Sequence, residues 1–326
     1  MSAPLRYRLH DRLAAVAALA GEWDALLDRS PLNRAASSST WFLASCAARR
    51  LRPQVWTARR GGELVAVLPL AAGERTALFP TPSPVYQDVV AAGDEVDAAC
   101  GLLRRALDAG NGYRRLELDG LPAGGLGERA LHRLGRGHGL DPQRRQGLYA
   151  PLPPTYDDYL ASRSRRLRKE LRRQRSRAEA AGFTLARLTP EELPPAELPA
   201  LFLALHFARF GAASGFVTAE RRRFVAAALP PLFRQRRLLV VALHRGGEIY
   251  GLDLYLRGDG SLCAWNGGFV PAVAELSAGS LLLDAAVRLA YGLGARELDL
   301  MFGLQRFKRR WAGRRRCAGR VLLRCA

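Results

Sequence analysis

"PQVWTARRGGELVAVLPLA" (Pro53–Ala71) and "RLLVVALHRGGEIYGLDLYL" (Arg237–Leu256) share one pattern: strand, Arg-Gly-Gly-Glu, strand. Gly61-Gly62 and Gly246-Gly247 can take the positive φ that a tight hairpin turn demands. Their flanks are rich in Val, Leu and aromatic residues, as half-buried strands are. The residues after each hairpin also correspond. The first is followed by a loop containing Tyr86, a helix near 96–109 and the strand "RRLELDGL" (Arg114–Leu121). The second is followed by the strand "SLCAWNGGF" (Ser261–Phe269), a helix near 279–291 and the strand "ARELDLMFG" (Ala295–Gly303). RGGE turns recur by chance, but several elements in the same order point to a duplicated α/β (α+β) domain. Each copy should hold a mixed, mostly antiparallel sheet flanked by helices.

At 326 residues the chain has the length of two modest domains. The proline-rich "YAPLPPTYDDYL" separates the repeats, which sets the expected domains at 1–150 and 151–326. After it comes "SRSRRLRKELRRQRSRAEAAG" (Ser162–Gly182), with nine basic residues between Arg163 and Arg177. On a helix, Leu160, Leu167, Leu171, Ala178 and Ala181 fall on one apolar stripe, and Gly182 fits as C′. The net charge of +20 favours polyanionic partners. Only Lys169 and Lys308 are lysines, however, so the charge is almost all Arg and reflects codon usage in part. The helix lacks the aromatic interleaving of single-strand binders, and no helix-turn-helix surrounds it.

The five scattered cysteines have no metal-ligand spacing, so no metal is expected. No signal peptide or spanning run is evident, which predicts a cytoplasmic protein. Triad, GxSxG, P-loop, GxGxxG and HExxH patterns are absent from the sequence.

Four stretches carry a resemblance. "SSSTWFLAS" (Ser37–Ser45) resembles an S-x-x-W segment, and the basic helix resembles the one that opens a second domain. "WNGGFVPAVAELSAGSLLL" (Trp265–Leu283) resembles G-[FY]-x-P…SPG-x-LLL. "ELDLMFGLQRFKRRWA" (Glu297–Ala312) resembles F-D-F-x-x-G-x-x-x-[YF]-K-x-x-W. Together they resemble tandem GNAT-fold acyltransferases of the CelD-like branch, the acetyltransferases of cellulose biosynthesis, and more distantly the Fem-type peptidyltransferases. The resemblance implies transfer of an acyl group from acetyl-CoA or another acyl-CoA to an amine or hydroxyl. The acceptor would be a saccharide, a cell-envelope precursor or a small metabolite. In Fem-type relatives the donor is an aminoacyl-tRNA. A third reading is a non-catalytic binder of polyanions or a membrane surface, or a degenerate accessory protein.

The resemblance directs attention to particular residues. Ser277, Gly279 and Ser280 begin a helix where such enzymes hold coenzyme A, so they serve as an ordinary cap or as a phosphate cradle. The strict Q/R-x-x-G-x-G/A signature is absent. Asp299 either orients and deprotonates the acceptor or bonds backbone at its strand's end. Lys308 falls on the lysine thought to contact anionic substrate; otherwise it is a solvated charge. Trp311 is a sugar-stacking wall or a core aromatic. His206, in "LALHFARFG", is a general base or a satisfied structural residue. Arg165, Arg168, Lys169 and Arg172 are assigned to an anionic substrate, as are Trp265 and Tyr86 to the acceptor; for Tyr86, beside Asp88, the alternative is an ordinary loop. Relatives often carry an acidic pair where this chain has Leu304 and Gln305, which implies a changed acceptor or lost activity. In the first copy, Asp94 and Glu95 stand at the helix start and would repel coenzyme A, so that copy is expected to lack the donor.

Overall fold

In the computed structural model, which describes residues 3–30, 35–137 and 144–325, both Gly-Gly pairs close hairpins. Gly61 and Gly62 have φ of 58° and 91°, and Gly246 and Gly247 have 59° and 84°. Side chains are strained in that region and glycine is not. The chain runs β1 (Leu5–His10), α1 (Leu13–Asp28), α2 (Ser39–Arg49), β2 (Arg52–Arg60), β3 (Glu63–Ala72), β4 (Thr76–Leu78), β5 (Val90–Ala91), α3 (Val96–Ala106), β6 (Arg115–Pro122) and α4 (Leu126–Arg133). It continues through β7 (Arg145–Pro151), α5 (Tyr156–Ala161), α6 (Arg165–Ala180), β8 (Thr184–Leu188), α7 (Leu198–Phe210) and α8 (Ala219–Arg234). It ends with β9 (Leu238–Arg245), β10 (Glu248–Gly258), β11 (Ser261–Phe269), α9 (Ala278–Gly292), β12 (Glu297–Phe302), α10 (Arg306–Trp311) and β13 (Arg314–Arg324).

The chain divides into two units. Unit 1 holds Met1–Gln146 together with Arg316–Ala326, and unit 2 holds Gly147–Arg315. The sequence assigns residues 151–326 to the second domain. The last strand departs from that, because β13 pairs antiparallel with β6 and buries Val321 and Leu323 in the unit 1 core.

In unit 1 the strands run β1-β2-β3-β4-β6-β13. Only β4 and β6 pair parallel in that series. From Ala66 on, β3 shows the period of two: Ala66, Leu68 and Leu70 pack with α3 and α4 residues, while Val67 and Ala71 join Trp23 and Phe42 of α1 and α2; the register shift before Ala66 puts Leu64 on that second face too. Both sheet faces are therefore covered.

Unit 2 runs β7-β12-β11-β10-β9-β8, again with a single parallel pair, β11 and β12. Leu239, Val241 and Leu243 of β9 pack in one core with Leu167 and Leu171 of α6 and Leu282 and Ala286 of α9. Leu238, Val240 and Ala242 alternate onto the other face and are equally buried. α6 begins at Ser164, whose side chain accepts from the Leu167 N–H. It ends with Gly182 at φ 74°, whose N–H donates to Glu179 O, while the Phe183 N–H donates to Ala178 O. Leu167, Leu171 and Ala178 of the expected stripe are buried, but Ala181 is exposed because the helix has already ended there.

The pairing of β11 with β12 covers three residues, Ser261–Cys263 against Glu297–Asp299, and then stops. Beyond that point β12 turns: Met301 has φ 57°, and its N–H donates to Asp299 Oδ1 at 2.7 Å. β10 and β11 shift register between Leu254 and Tyr255. The splay and the bulge open the sheet of unit 2 at one place.

Candidate active site

A cleft of about 390 Å³ lies where β11 leaves β12. β10 contributes Asp253 and Tyr255, β11 contributes Trp265 to Gly267, and the start of α9 contributes Ala278 to Ser280 behind Ser277. Arg209 of α7, Leu300 of β12 and Lys308 of α10 complete the wall.

At one end the cleft suits an anion. The N–H groups of Ala278 and Gly279 open α9 and have no intrahelical acceptor. Ser277 stands before them in the left-handed region, with φ 61° and no capping bond from its side chain. A Cβ on Gly279 would sit 4.0 Å from Arg209 Nη2, so a guanidinium lies beside this helix start. Partial positive charge and a full cation converge there. Burial pulls the Arg209 guanidinium below its usual range, and its carbon lies 4.4 Å from the Phe269 ring centroid.

The chemistry of the other end centres on Asp253. Burial pushes its carboxyl up to about 7, opposed by the charge of Arg209. Tyr255 Oη donates to Asp253 Oδ2 at 3.3 Å. Room for this carboxylate is built into β11: a Cβ on Gly267 would lie 1.8 Å from Asp253 Oδ1. The adjacent Gly268 does the same on the other face, where a Cβ would lie 2.4 Å from the backbone of Leu205 on α7. The Gly-Gly of "WNGGF" thus admits a carboxylate on one side and a helix on the other. Lys308 Nζ donates to Phe302 O at 2.6 Å, and burial lowers its pKa to about 8, against the opposing charge of Asp299.

The candidates from sequence fall into three groups. Ser277, Gly279, Ser280, Trp265 and Lys308 all line the cleft. Trp265 also stacks on Phe202, with ring centroids 5.8 Å apart. Asp299, His206, Trp311 and Tyr86 do not line it. Asp299 is fully buried and bonds its own strand end. His206 is buried behind the wall, its Nδ1 2.9 Å from Ser214 Oγ; burial lowers its pKa, and a bond with Asn266 of the wall opposes this. Trp311 is a core residue, and its carbonyl accepts from Tyr159 Oη at 2.7 Å. Tyr86 is buried within unit 1. Its neighbour Asp88 is buried too, and Oδ1 accepts the Val89 and Gly127 N–H groups.

The basic helix forms the third group. Arg165, Arg168 and Arg172 line a separate cavity together with Arg175, whereas Lys169 is exposed elsewhere on the helix. In unit 1 the start of α3 carries acids already held in ion pairs, Glu95 with Arg60 at 2.7 Å and Asp94 with Arg129.

Sequence reasoning missed Asp253, Tyr255 and Arg209. Arg209 stands three residues after His206 in the segment that drew attention to the histidine. Asp253 stands alone in the apolar run "GLDLYL", which was the available signal. Among the described residues no group of His, Cys, Asp or Glu could hold a metal ion, and no helix is long and apolar enough to cross a membrane.

Residues 165–309, which include every residue lining the cleft, match the model of an acetyltransferase (GNAT) domain. No curated protein matches the chain. Several solved structures are similar in fold. FemX is 12% identical with a TM-score of 0.66, over 96% of either chain. The C-terminal domain of a putative lysylphosphatidylglycerol synthetase from Agrobacterium fabrum is 12% identical with a TM-score of 0.61, over 94% of this chain and 92% of that one. A tandem GNAT protein from the clavulanic acid biosynthesis pathway is 14% identical with a TM-score of 0.52, over 99% of either chain. At such identities the likeness is one of fold, and the fold is that of a tandem GNAT-like protein.

Proposed function

We propose that this chain, whose residues 165–309 carry an acetyltransferase (GNAT) domain, transfers an acyl group from an acyl-CoA to an amine or hydroxyl. The observation that carries the reading is the convergence, in one cleft, of an anion-binding end and a carboxylate raised to about 7. The residues present fit acyl-CoA. Phosphate oxygens match the open N–H groups of α9 beside Arg209. The edge of β11 that β12 leaves unpaired offers backbone groups to an amide-bearing arm.

When bound, acyl-CoA supplies a thioester carbonyl open to attack and a thiol leaving group. Asp253, about half ionised near pH 7 and more so above it, would accept the proton from the acceptor's N–H or O–H, and the thioester C–S bond would break with the CoA sulfur leaving. Tyr255 Oη holds Asp253 Oδ2 and fixes the direction of its other oxygen. The Lys308 ammonium, with one proton committed to Phe302 O, orients an anionic or carbonyl oxygen in the same cleft. His206 positions the wall through Asn266. Asp299 anchors the turn of β12 and does not line the cleft.

The finer reading is a CelD-like enzyme acting on a saccharide or envelope precursor, with the donor held by unit 2 alone. The four motifs and the acid-covered start of α3 support it. Transfer from an aminoacyl-tRNA is the alternative that the net charge of +20 favours. Thermal unfolding with a panel of acyl-CoAs separates the two. At a hundredfold excess over Kd a donor should stabilise the protein by about 2.7 kcal/mol. No shift with any acyl-CoA, together with salt-sensitive tRNA binding, would transfer support to the alternative.

A further inference from the structure

α6 places Arg165, Arg168, Arg172 and Arg175 at spacings of three, four and three residues. At 100° per residue they occupy an arc of about 80°, next to the buried leucine stripe. With Leu160 of α5 and Leu171 they line a cavity of about 390 Å³, formed by different residues from those of the acyl-transfer cleft.

The charge in this cavity is largely uncompensated. Arg175 is spoken for: its Nε donates to Asp284 Oδ2 at 2.8 Å and its Nη2 to Oδ1 at 2.6 Å, while Tyr156 Oη also donates to Oδ1 at 2.6 Å. That network fixes one wall. Arg165, Arg168 and Arg172 make no ion pair among the described residues. The helix's one acid in this region, Glu170, is taken by Arg166 and Arg310. Arg168 Nε is buried and has no acceptor in the protein. Burying such a donor costs free energy that an incoming oxygen would recover.

We infer that this cavity is a phosphate-binding site, built to take a phosphate ester or diphosphate group. Three unpaired guanidinium groups match a multiply charged oxyanion, whereas a single carboxylate would leave two of them unneutralised. Their forked donors suit phosphate oxygens. The cavity lining contains no aromatic side chain, so a nucleobase would find no stacking surface. That favours a phosphate on a small ester or a lipid headgroup over a single-stranded nucleic acid. The inference does not depend on acyl transfer in the neighbouring cleft.

The test is calorimetric titration of the full-length protein with inorganic pyrophosphate, beside flotation on phosphatidylglycerol and phosphatidylcholine vesicles. R168Q/R172Q should weaken pyrophosphate binding by about tenfold or more, as loss of two forked contacts would. R173Q/R177Q removes the same charge from exposed positions outside the cavity and should leave binding unchanged. Acetyl-CoA stabilisation, read separately, should survive in both variants. Binding to phosphatidylglycerol vesicles that R168Q/R172Q abolishes would identify a lipid source of the phosphate; binding to pyrophosphate alone would identify a soluble one. Equal weakening in the two variants, no pyrophosphate binding by the wild type, or a dependence confined to an RNA oligonucleotide would overturn the assignment. Loss of the acetyl-CoA effect with pyrophosphate binding intact would count against acyl transfer and leave this site standing.

Discussion

Asp253 holds its proton to about pH 7, whereas the unfolded chain releases it near 3.8. Between those values the native state binds more protons than the unfolded state, so stability falls as pH rises through this window. Three pH units correspond to roughly 4 kcal/mol at most. Asp253→Asn should therefore raise stability by a few kcal/mol at pH 8 and bring no gain near pH 4, as denaturant titrations at the two pH values would show. The same variant should lose transfer by a factor of about 100 or more while still binding the donor. Wild-type kcat/KM should rise through pH 7 as Asp253 ionises and fall above pH 8 as Lys308 loses its proton. Lys308→Arg should remove the alkaline fall from the measured profile, because guanidinium does not titrate there. Gly267→Ala should displace Asp253 and cost about 1–3 kcal/mol. Its acidic limb should move from the wild-type position; an unmoved limb would sink the packing argument. Sequence alone pointed to Lys308 and the start of α9, which line the cleft, but not to Asp253. A strand's periodicity tells which residues share a face, and it does not tell where a neighbouring strand will part and turn that face into a cleft. Asp299 illustrates the converse. It occupied the more suggestive motif, yet its carboxylate turned back onto the Met301 N–H.

Single elements were the most legible scale, because their ends are chemically marked. The expected strand Ser261–Phe269 is found as β11, and the expected helix near 279–291 spans Ala278–Gly292. Thr218 caps α8 by accepting from the Arg221 N–H, without the acid of a capping box. Gly182 ends α6 with the positive φ its position demands. Gly182→Ala should cost about 1 kcal/mol, read as a lower urea midpoint with an unchanged slope. Charge was the less informative guide at this scale. The density of arginine in α6 drew attention to nucleic acid, but the placement of its leucines decided how the helix packs, and that packing decided which arginines converge.

Across the whole molecule the duplication was legible because both copies repeat hairpin, helix and strand in order. Two further strands extend that repeat, since β7 follows β6 and α4 as β13 follows β12 and α10. β7 follows the first copy yet pairs with β12 in unit 2, and β13 follows the second copy yet pairs with β6 in unit 1. No local pattern announces such an exchange, since pairing partners of a strand are set by tertiary contacts. Deleting residues 314–326 should expose the β6 edge and loosen unit 1. Hydrogen exchange should then accelerate in β3, β4 and β6 and stay slow in β9 to β11; uniform acceleration would refute the division.

The exchange also fixes an order of events during synthesis. About 190 residues separate the end of β6 from the start of β13. At ~5–20 residues per second, the first unit waits roughly 10–40 s on the ribosome for its final strand. The unit translated first is thus the last to be finished, and its β6 edge stays open to wrong partners throughout that interval.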